Sequence, residues 1–273
     1  MARPVHGWAL VPLTLRITAL NLRARLQYRV DFLLWTLHGM AYQVMGLTFV
    51  WVVLAQFQAI HGWSLADIVF MYSLRLLAHG LYLPVFYNVM QVSFTIREGN
   101  FDRVLLRPLN PLLQVLLQTF NANSAGDIAV AIALFVIAQH MLHMQWRFDT
   151  AAFLVLVVIG GALMEAAIQL ACATLAFWVV ASTSVALWAD TLMNTFANYP
   201  INIFAGVVRY LFTFLLPIAF LAYFPAAVFL GKAGSVAFTP LLAYGAPAAG
   251  VVAFLLAYGF WSLGLRHYQS TGT

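Results

Sequence analysis

Long apolar runs separated by short polar stretches dominate the chain and set its elements. No charged residue occurs from Phe32 to Ala66. Only Arg75 interrupts Ile68 to Ile96, and Pro108 to Gly126 and Ile128 to Trp146 carry no charge. Thr150 to Ala189 holds only Glu165, Thr191 to Gly231 only Arg209, and Ala233 to Leu265 nothing. A helix that crosses a bilayer needs about 20 mostly apolar residues. The pattern predicts six such helices, over about 32–56, 68–95, 124–143, 151–181, 201–222 and 246–265. The runs are continuous and do not alternate with a period of two, which argues against a β-barrel. The expected fold is all-α and integral to a membrane, a single transmembrane domain over 1–273.

Residues 9–30 predict a further helix lying on the membrane surface. At 3.6 residues per turn Leu13, Ile17, Leu20 and Ala24 form one stripe. Arg16 and Arg23 flank it on one side and Arg25 and Arg29 on the other, as in an interfacial helix with bases at lipid headgroups. Leu15, Leu22 and Leu26 form a second apolar strip, which leaves a plain basic leader as the alternative. A cleavable signal is not expected, because no compact apolar stretch is followed by a small-residue cleavage site.

Composition narrows the class. The chain is 64% hydrophobic and 8% charged, where a soluble domain has about 25% charged residues. Soluble globular and disordered chains are both excluded. The single cysteine, Cys172, excludes an intramolecular disulfide. A net charge of +5 would suggest a nucleic-acid partner in a soluble protein; here the bases mark topology, and no nucleic acid is expected. Arg3, Arg16, Arg23, Arg25, Arg29, Arg97, Arg103, Arg107 and Arg266 fall on one side of a six-span chain, against Arg147 and Lys232 on the other. The positive-inside rule makes both termini and the 97–110 loop cytoplasmic.

The common catalytic patterns are absent. The only lysine, Lys232, sits in Leu-Gly-Lys-Ala, so no phosphate-cradling loop is encoded. There is no His-Glu-x-x-His and no Gly-x-Ser-x-Gly. His140 and His143 have helical spacing but no adjacent carboxylate or thiol, and read as an interfacial polar cap. The chain is not expected to be an enzyme or to hold a metal or cofactor.

One loop carries more information. Arg97-Glu98-Gly99-Asn100-Phe101-Asp102-Arg103-Val104-Leu105-Leu106-Arg107-Pro108 predicts a helix end at Gly99, a cap at Asn100 and a short helix stopped by Pro108. Phe101, Val104 and Leu105 share one face, with Asp102, Arg103 and Arg107 away from it. Such a helix suits a groove on another protein, or a headgroup-bound loop.

Glu98-Gly99-Asn100-Phe101-Asp102 followed by Leu106-Arg107-Pro108-Leu109-Asn110-Pro111 resembles the signature of bacterial ABC type-2 exporter permeases. The later run Tyr199-Pro200, Phe204, Arg209, Pro217-Ile218-Ala219-Phe220, Tyr223 and Pro225-Ala226 is similar as well. The resemblance spans most of the chain. It implies a permease subunit of an exporter in the bacterial inner membrane, paired with a second, identical or similar permease. It further implies separate nucleotide-binding ATPase subunits that bind ATP and Mg, and contacts with membrane lipids. The loop residues Glu98, Gly99, Phe101, Asp102, Arg103, Val104, Leu105, Arg107 and Pro108 would form the coupling helix that docks the ATPase. Short re-entrant helices are implied between spans five and six, with Pro217, Tyr223, Pro225 and Gly231 placed to break the apolar run.

Arg75, Glu165 and Arg209 are charges inside predicted spans, costly unless paired. Glu165 and Arg209 reach similar depths, with Arg75 nearer the outer face; an ion pair, Glu165 with Arg209 first, or snorkelling is the structural reading, and a polar lining of a transport path or a proton relay the functional ones. The tryptophans fall mostly near span ends, as interfacial belts do. Gly160-Gly161-Ala162 gives the fourth span a small-residue face for close packing. An ATP-independent transporter or channel, or a membrane scaffold, are the competing classes. The first of these is favoured by matched discontinuous spans in inverted halves, which the sequence does not show.

Overall fold

The computed structural model describes residues 16, 19–24, 26–55, 59, 61–119, 121, 123–179 and 182–269. Every regular element among them is helical. The longer helices are α1 (Arg29–Ala55), α2 (Leu65–Phe86), α6 (Asn123–Met141), α7 (Phe148–Thr174), α8 (Ser182–Phe196) and α12 (Ala246–His267). Between them lie the short helices α3 (Val92–Arg97), α4 (Phe101–Leu105), α5 (Pro111–Leu116), α9 (Gly206–Tyr210), α10 (Tyr223–Phe229) and α11 (Pro240–Tyr244).

Four helices are long and apolar enough to cross a membrane: Leu65–Arg97, Ser124–Met141, Phe148–Phe177 and Ala246–His267. They agree with four of the expected spans. The expected span at 201–222 is not a straight helix. Gly206–Leu215 and Ile218–Phe229 form a pair bent by 72°. Pro217 sits at the bend and has no N–H with which to continue the ladder, and Leu211–Leu215 is a π turn leading into it. Counting that pair as one crossing gives up to five. Pro225 does not break anything, because it lies in the first turn of α10, where a proline is tolerated. Gly231, at φ +66°, ends α10. Lys232 N–H reaches the Ala227 carbonyl and Gly231 N–H the Val228 carbonyl, the paired bonds of a Schellman cap.

One more departure concerns the end of a span. The stretch expected to close the fourth span stops at Phe177, and a separate helix, α8, follows. Much of the expected surface helix at 9–30, including Leu13, Leu15, Ile17 and Arg25, lies outside the described residues. Ala19 to Ala24 are helical, and Asn21 Nδ2 donates to the Leu117 carbonyl at 2.8 Å, tying this part to the segment after α5.

α2 is the central helix. Ile68, Phe70, Met71, Tyr72, Leu74 and Leu76 are all buried, between α6 on one side and α7 on the other. Its start is fixed by a capping box of Ser64 and Asp67. Lys232 Nζ meets Asp67 Oδ2 at 2.6 Å and the Gly62 carbonyl at 2.7 Å, clamping the loop after α10 to the head of α2. Trp63, beneath this clamp, and Trp261 are buried, so neither belongs to an interfacial belt.

α7 and α12 pack closest of all. A Cβ on Gly250 would stand 2.0 Å from the Gly160 carbonyl oxygen, and one on Gly160 would stand 2.6 Å from Pro247 Cα. Gly161 faces the Ala78 methyl of α2 at a distance no side chain would allow. The small-residue face of α7 is therefore used for packing on two sides. Gly250→Ala is expected to destabilise the protein by about 1–3 kcal/mol through overpacking. Gly259→Ala, on the same helix with nothing within 4 Å of its new methyl, is expected to leave it unchanged. Thermal unfolding of the two variants in one detergent checks this.

Candidate functional site

The 97–110 loop is built onto the chain's own core. α2 contains Pro84, runs on through a 3-10 turn at Tyr87–Gln91 and continues as α3 to Arg97. Gly99, at φ +69°, turns the chain there. Asn100 occupies the cap position of α4 but makes no capping bond; its amide goes to Glu98 at 3.1 Å instead. α4 ends at Leu105, ahead of Pro108. The next helix starts cleanly: Asn110 Oδ1 accepts from the N–H groups of Leu112 and Leu113, and Pro111 takes the first turn. Gln114 Nε2 donates to the carbonyls of Val104 and Leu109, both at 2.9 Å, and closes the loop.

The open side of α4 differs from the expectation. Phe101 has no exposed surface. Its ring stands 5.6 Å from that of Phe177, 6.3 Å from Trp261 and 5.2 Å from Tyr268. Val104 is buried in the same cluster. Phe101 is thus anchored to Trp261 of α12, to Tyr268 after it and to Phe177 in the turn after α7. The reverse side is open: Arg103, Leu105, Arg107 and Pro108 are exposed, and Leu106 is 85% exposed. Asp102 accepts from the Tyr268 hydroxyl at 2.7 Å, so the C-terminal end of α12 holds the loop as well. Burial and the Asp102 carboxylate push that hydroxyl's pKa up to about 12, which keeps it a donor.

The three intramembrane charges each have a partner, though not one another. Glu165 Oε1 lies 2.6 Å from His79 Nδ1, between α7 and α2. Arg209 gives its guanidinium to the backbone carbonyls of Asn202 and Phe204 at 3.3 and 3.1 Å. Arg75 bonds the side-chain oxygen of Asn194. The expected Glu165–Arg209 pair does not form, because Arg209 satisfies carbonyls freed where the chain between α8 and α9 leaves helical geometry. A count of charges in the sequence passes over His79, which is formally neutral.

Around His79 the helices contribute a belt of polar side chains that the sequence reading missed. Gln43 of α1 donates to Asp127 of α6 at 2.7 Å, and Tyr72 donates to the Gln43 side chain. On α8, Asn194 Nδ2 donates to Asp190 at 2.8 Å, and Gln169 of α7 reaches the same carboxylate. A cavity of about 230 Å³ opens among α1, α2, α6 and α8, with His38, Gln43, His79, Asp127, Asp190 and Asn194 on its wall. A second, of about 440 Å³, is lined by Met45, Phe49 and Val50 of α1 and by Asn198 and Tyr199 beyond α8. Asn194 lines both. No group of three or more metal-ligating side chains occurs among the described residues.

The second arm of the bent segment is internal, while Val207, Tyr210, Phe214 and Leu215 of the first arm are exposed. Tyr223 is buried, with its ring 5.4 Å from Trp63 and its hydroxyl accepting from Ala237 N–H. Ile218 to Phe224, Ala226 and Ala227 are all buried. Irregular backbone at membrane depth is tolerated where protein surrounds it. The 3-10 turn at Ile218–Phe220 after the bend is enclosed in this way, whereas the π turn before it has only Phe212 and Thr213 buried.

The family model of the ABC-2 family transporter proteins matches residues 40–272. That is most of the chain, and the chain belongs to this family: it is a multi-pass membrane protein, a permease of ABC-type transport. No curated protein and no solved structure matches it.

Two outcomes follow from the site geometry. His79→Phe strands the Glu165 carboxylate and is expected to cost about 3–5 kcal/mol, while adding Glu165→Leu recovers much of it; strictly additive melting shifts would show that the pair is energetically idle. Phe101→Ala empties an aromatic cage inside the chain and is expected to cost about 3–5 kcal/mol. Measured on the isolated chain in detergent, an unchanged melting temperature for Phe101→Ala would contradict its role as an internal anchor.

Proposed function

We propose that this ABC-2 family member is the transmembrane permease subunit of an exporter in a bacterial inner membrane, driven by ATP hydrolysed on separate ATPase subunits that bind the ATP and Mg. The single observation that carries the reading is the two-sided 98–108 loop. Its inner side, Phe101 and Val104, is buried, with the Phe101 ring against Trp261 of α12 and Phe177 in the turn after α7, while its outer side shows Arg103, Leu105, Leu106 and Arg107. Two leucines between arginines on a short exposed helix suit a groove that is apolar at its floor and acidic at its rim. A load applied to that side passes into the spans, because the inner side is packed on them. The docking surface is thus the reverse of the Phe101 face.

In this reading the chain crosses six times, through α1, α2–α3, α6, α7, α8 and α12. α1 has 27 residues, about 40 Å at 1.5 Å per residue, enough for a bilayer. α8 has 15 residues, about 22 Å, so the irregular stretch after it completes the crossing. Residues 206–229 dip into the outer side and return as the re-entrant segment. Both termini are cytoplasmic, as the arginine asymmetry requires. A second permease subunit, identical or similar, completes the membrane part.

Co-expression with the cognate ATPase tests this. Leu106→Asp is expected to leave the permease inserted and its melting temperature unchanged, while ATPase co-purification and coupled hydrolysis fall at least tenfold, as loss of a central apolar anchor does. Normal co-purification by both Leu106→Asp and Arg107→Glu would refute docking at this loop.

A further inference from the structure

We propose that the groove between α1 and α8 binds an amphiphile bearing an ammonium head, with the head between Asp127 and Asp190 and the apolar part along Met45, Phe49 and Val50. Naming this ligand as cargo rests on the permease reading; the binding site itself does not.

The polar end of the groove has negative charge without matching cations. Asp127 takes the Gln43 amide. Asp190 takes the amides of Asn194 and Gln169. No Lys, Arg or His side chain forms an ion pair with either carboxylate among the described residues. Arg75, the nearest fixed cation, is turned onto the oxygen of Asn194, and His79 is held by Glu165. Even with His79 protonated, the three carboxylates Asp127, Glu165 and Asp190 outnumber Arg75 and His79. His38, the other base on the wall, is exposed at the mouth. A net negative charge in a low-dielectric region is relieved by uptake of a proton or by a cation from outside the fold.

A second observation, independent of the acids, points the same way. Asn198 is 7% exposed and lines the apolar half of the groove, yet its Oδ1 has no partner. Its amide nitrogen is already given to the Asn194 carbonyl at 2.5 Å. Asp190 and Asn194 are four residues apart, which stacks them on one side of α8, and Asn198 follows in the turn after the helix ends. The wall thus offers acceptors at two levels. An ammonium carries three donors and no acceptor, and a further donor along the ligand would satisfy Asn198. An anionic head would meet two carboxylates.

The other half of the groove accounts for the amphiphile. Met45, Phe49 and Val50 supply an apolar wall, and the two cavities of about 230 and 440 Å³ adjoin at Asn194. In the proposed topology Asp127 and His38 lie towards the cytoplasmic ends of α6 and α1. A ligand held this way has its head at the inner leaflet and its tail towards the bilayer centre, the orientation an amphiphile already has in that leaflet.

The test uses the full chain in phosphatidylcholine nanodiscs and two fluorescent probes. Dansylcadaverine carries an ammonium on an apolar dansyl tail; its N-acetyl derivative has the same tail and no charge. The wild type is expected to bind the ammonium probe at least tenfold more tightly than the acetylated one. Asp127→Asn with Asp190→Asn should erase that preference while keeping weak binding of both. Thr195→Trp, which fills the apolar half, should weaken both probes. Variants count only if they elute and melt as the wild type does, with single Asp190→Asn as the fallback. Equal affinity of the two probes for the wild type overturns the proposal, and needs no variant to fold. Survival of the preference in the double variant overturns it too. Neither result touches the ATPase co-purification that tests the permease reading, so the two can fail separately.

Discussion

Everything in this fold hangs on the contact of α7 with α12 at Gly160 and Gly250. The two backbones meet at a distance that no Cβ would allow. Lipid tails offer no hydrophobic drive for helices to associate, so close backbone approach and dispersion must hold them together. That contact sets α7 in place, and α7 in turn serves three neighbours. Gly161 admits Ala78 of α2, Glu165 meets His79, and Phe177, in the turn that continues α7, meets the Phe101 ring. Moving α7 outward by one methyl group would loosen all three.

The long spans are legible because charge is so scarce. An uncharged run of twenty residues in this chain has few alternatives to a crossing, and α2, α6, α7 and α12 follow the runs closely. Hydropathy measures composition, however, and not direction. It cannot see that 201–222 folds back at Pro217, since both arms are equally apolar. It misses α8 for the opposite reason: Asp190, Asn194 and Asn198 lower the mean, and Asp190 reads as a span boundary. Asp127 is lost in the same way.

The 97–110 loop shows a different limit. The buried face of Phe101 and Val104 follows from the spacing, while Leu105, expected on the same face, is exposed; the turn at Gly99 and the stop before Pro108 follow as well. What the spacing cannot say is which body covers an apolar face. Here it is the chain itself, through Trp261, Phe177 and Tyr268, residues far along the sequence. The motif Leu109-Asn110-Pro111 likewise has a local purpose, a side-chain cap followed by a first-turn proline. The intramembrane charges repeat the lesson. Glu165 meets a formally neutral histidine on α2, and Arg209 meets carbonyls, because a bilayer demands hydrogen-bond satisfaction and not only charge balance.

The geometry also bears on how the loop and the polar groove are related. Phe177, which meets the Phe101 ring, and Glu165, paired with His79, are twelve residues apart in the continuous stretch Phe148–Phe177, a rise of about 18 Å. Within an unbroken helix that segment moves as one rigid piece. A displacement of the loop that drags Phe101 therefore reaches Glu165 without any intervening joint. His79 lines the groove wall, so the same displacement bears on the side chains facing a ligand there. The weaker element is α8: it is short, it carries Asp190 and Asn194, and it is followed by irregular backbone through Ala205. Under the proposed function, a rigid α7 beside the short α8 is the arrangement in which a push on the loop changes the width of the groove without distorting the core.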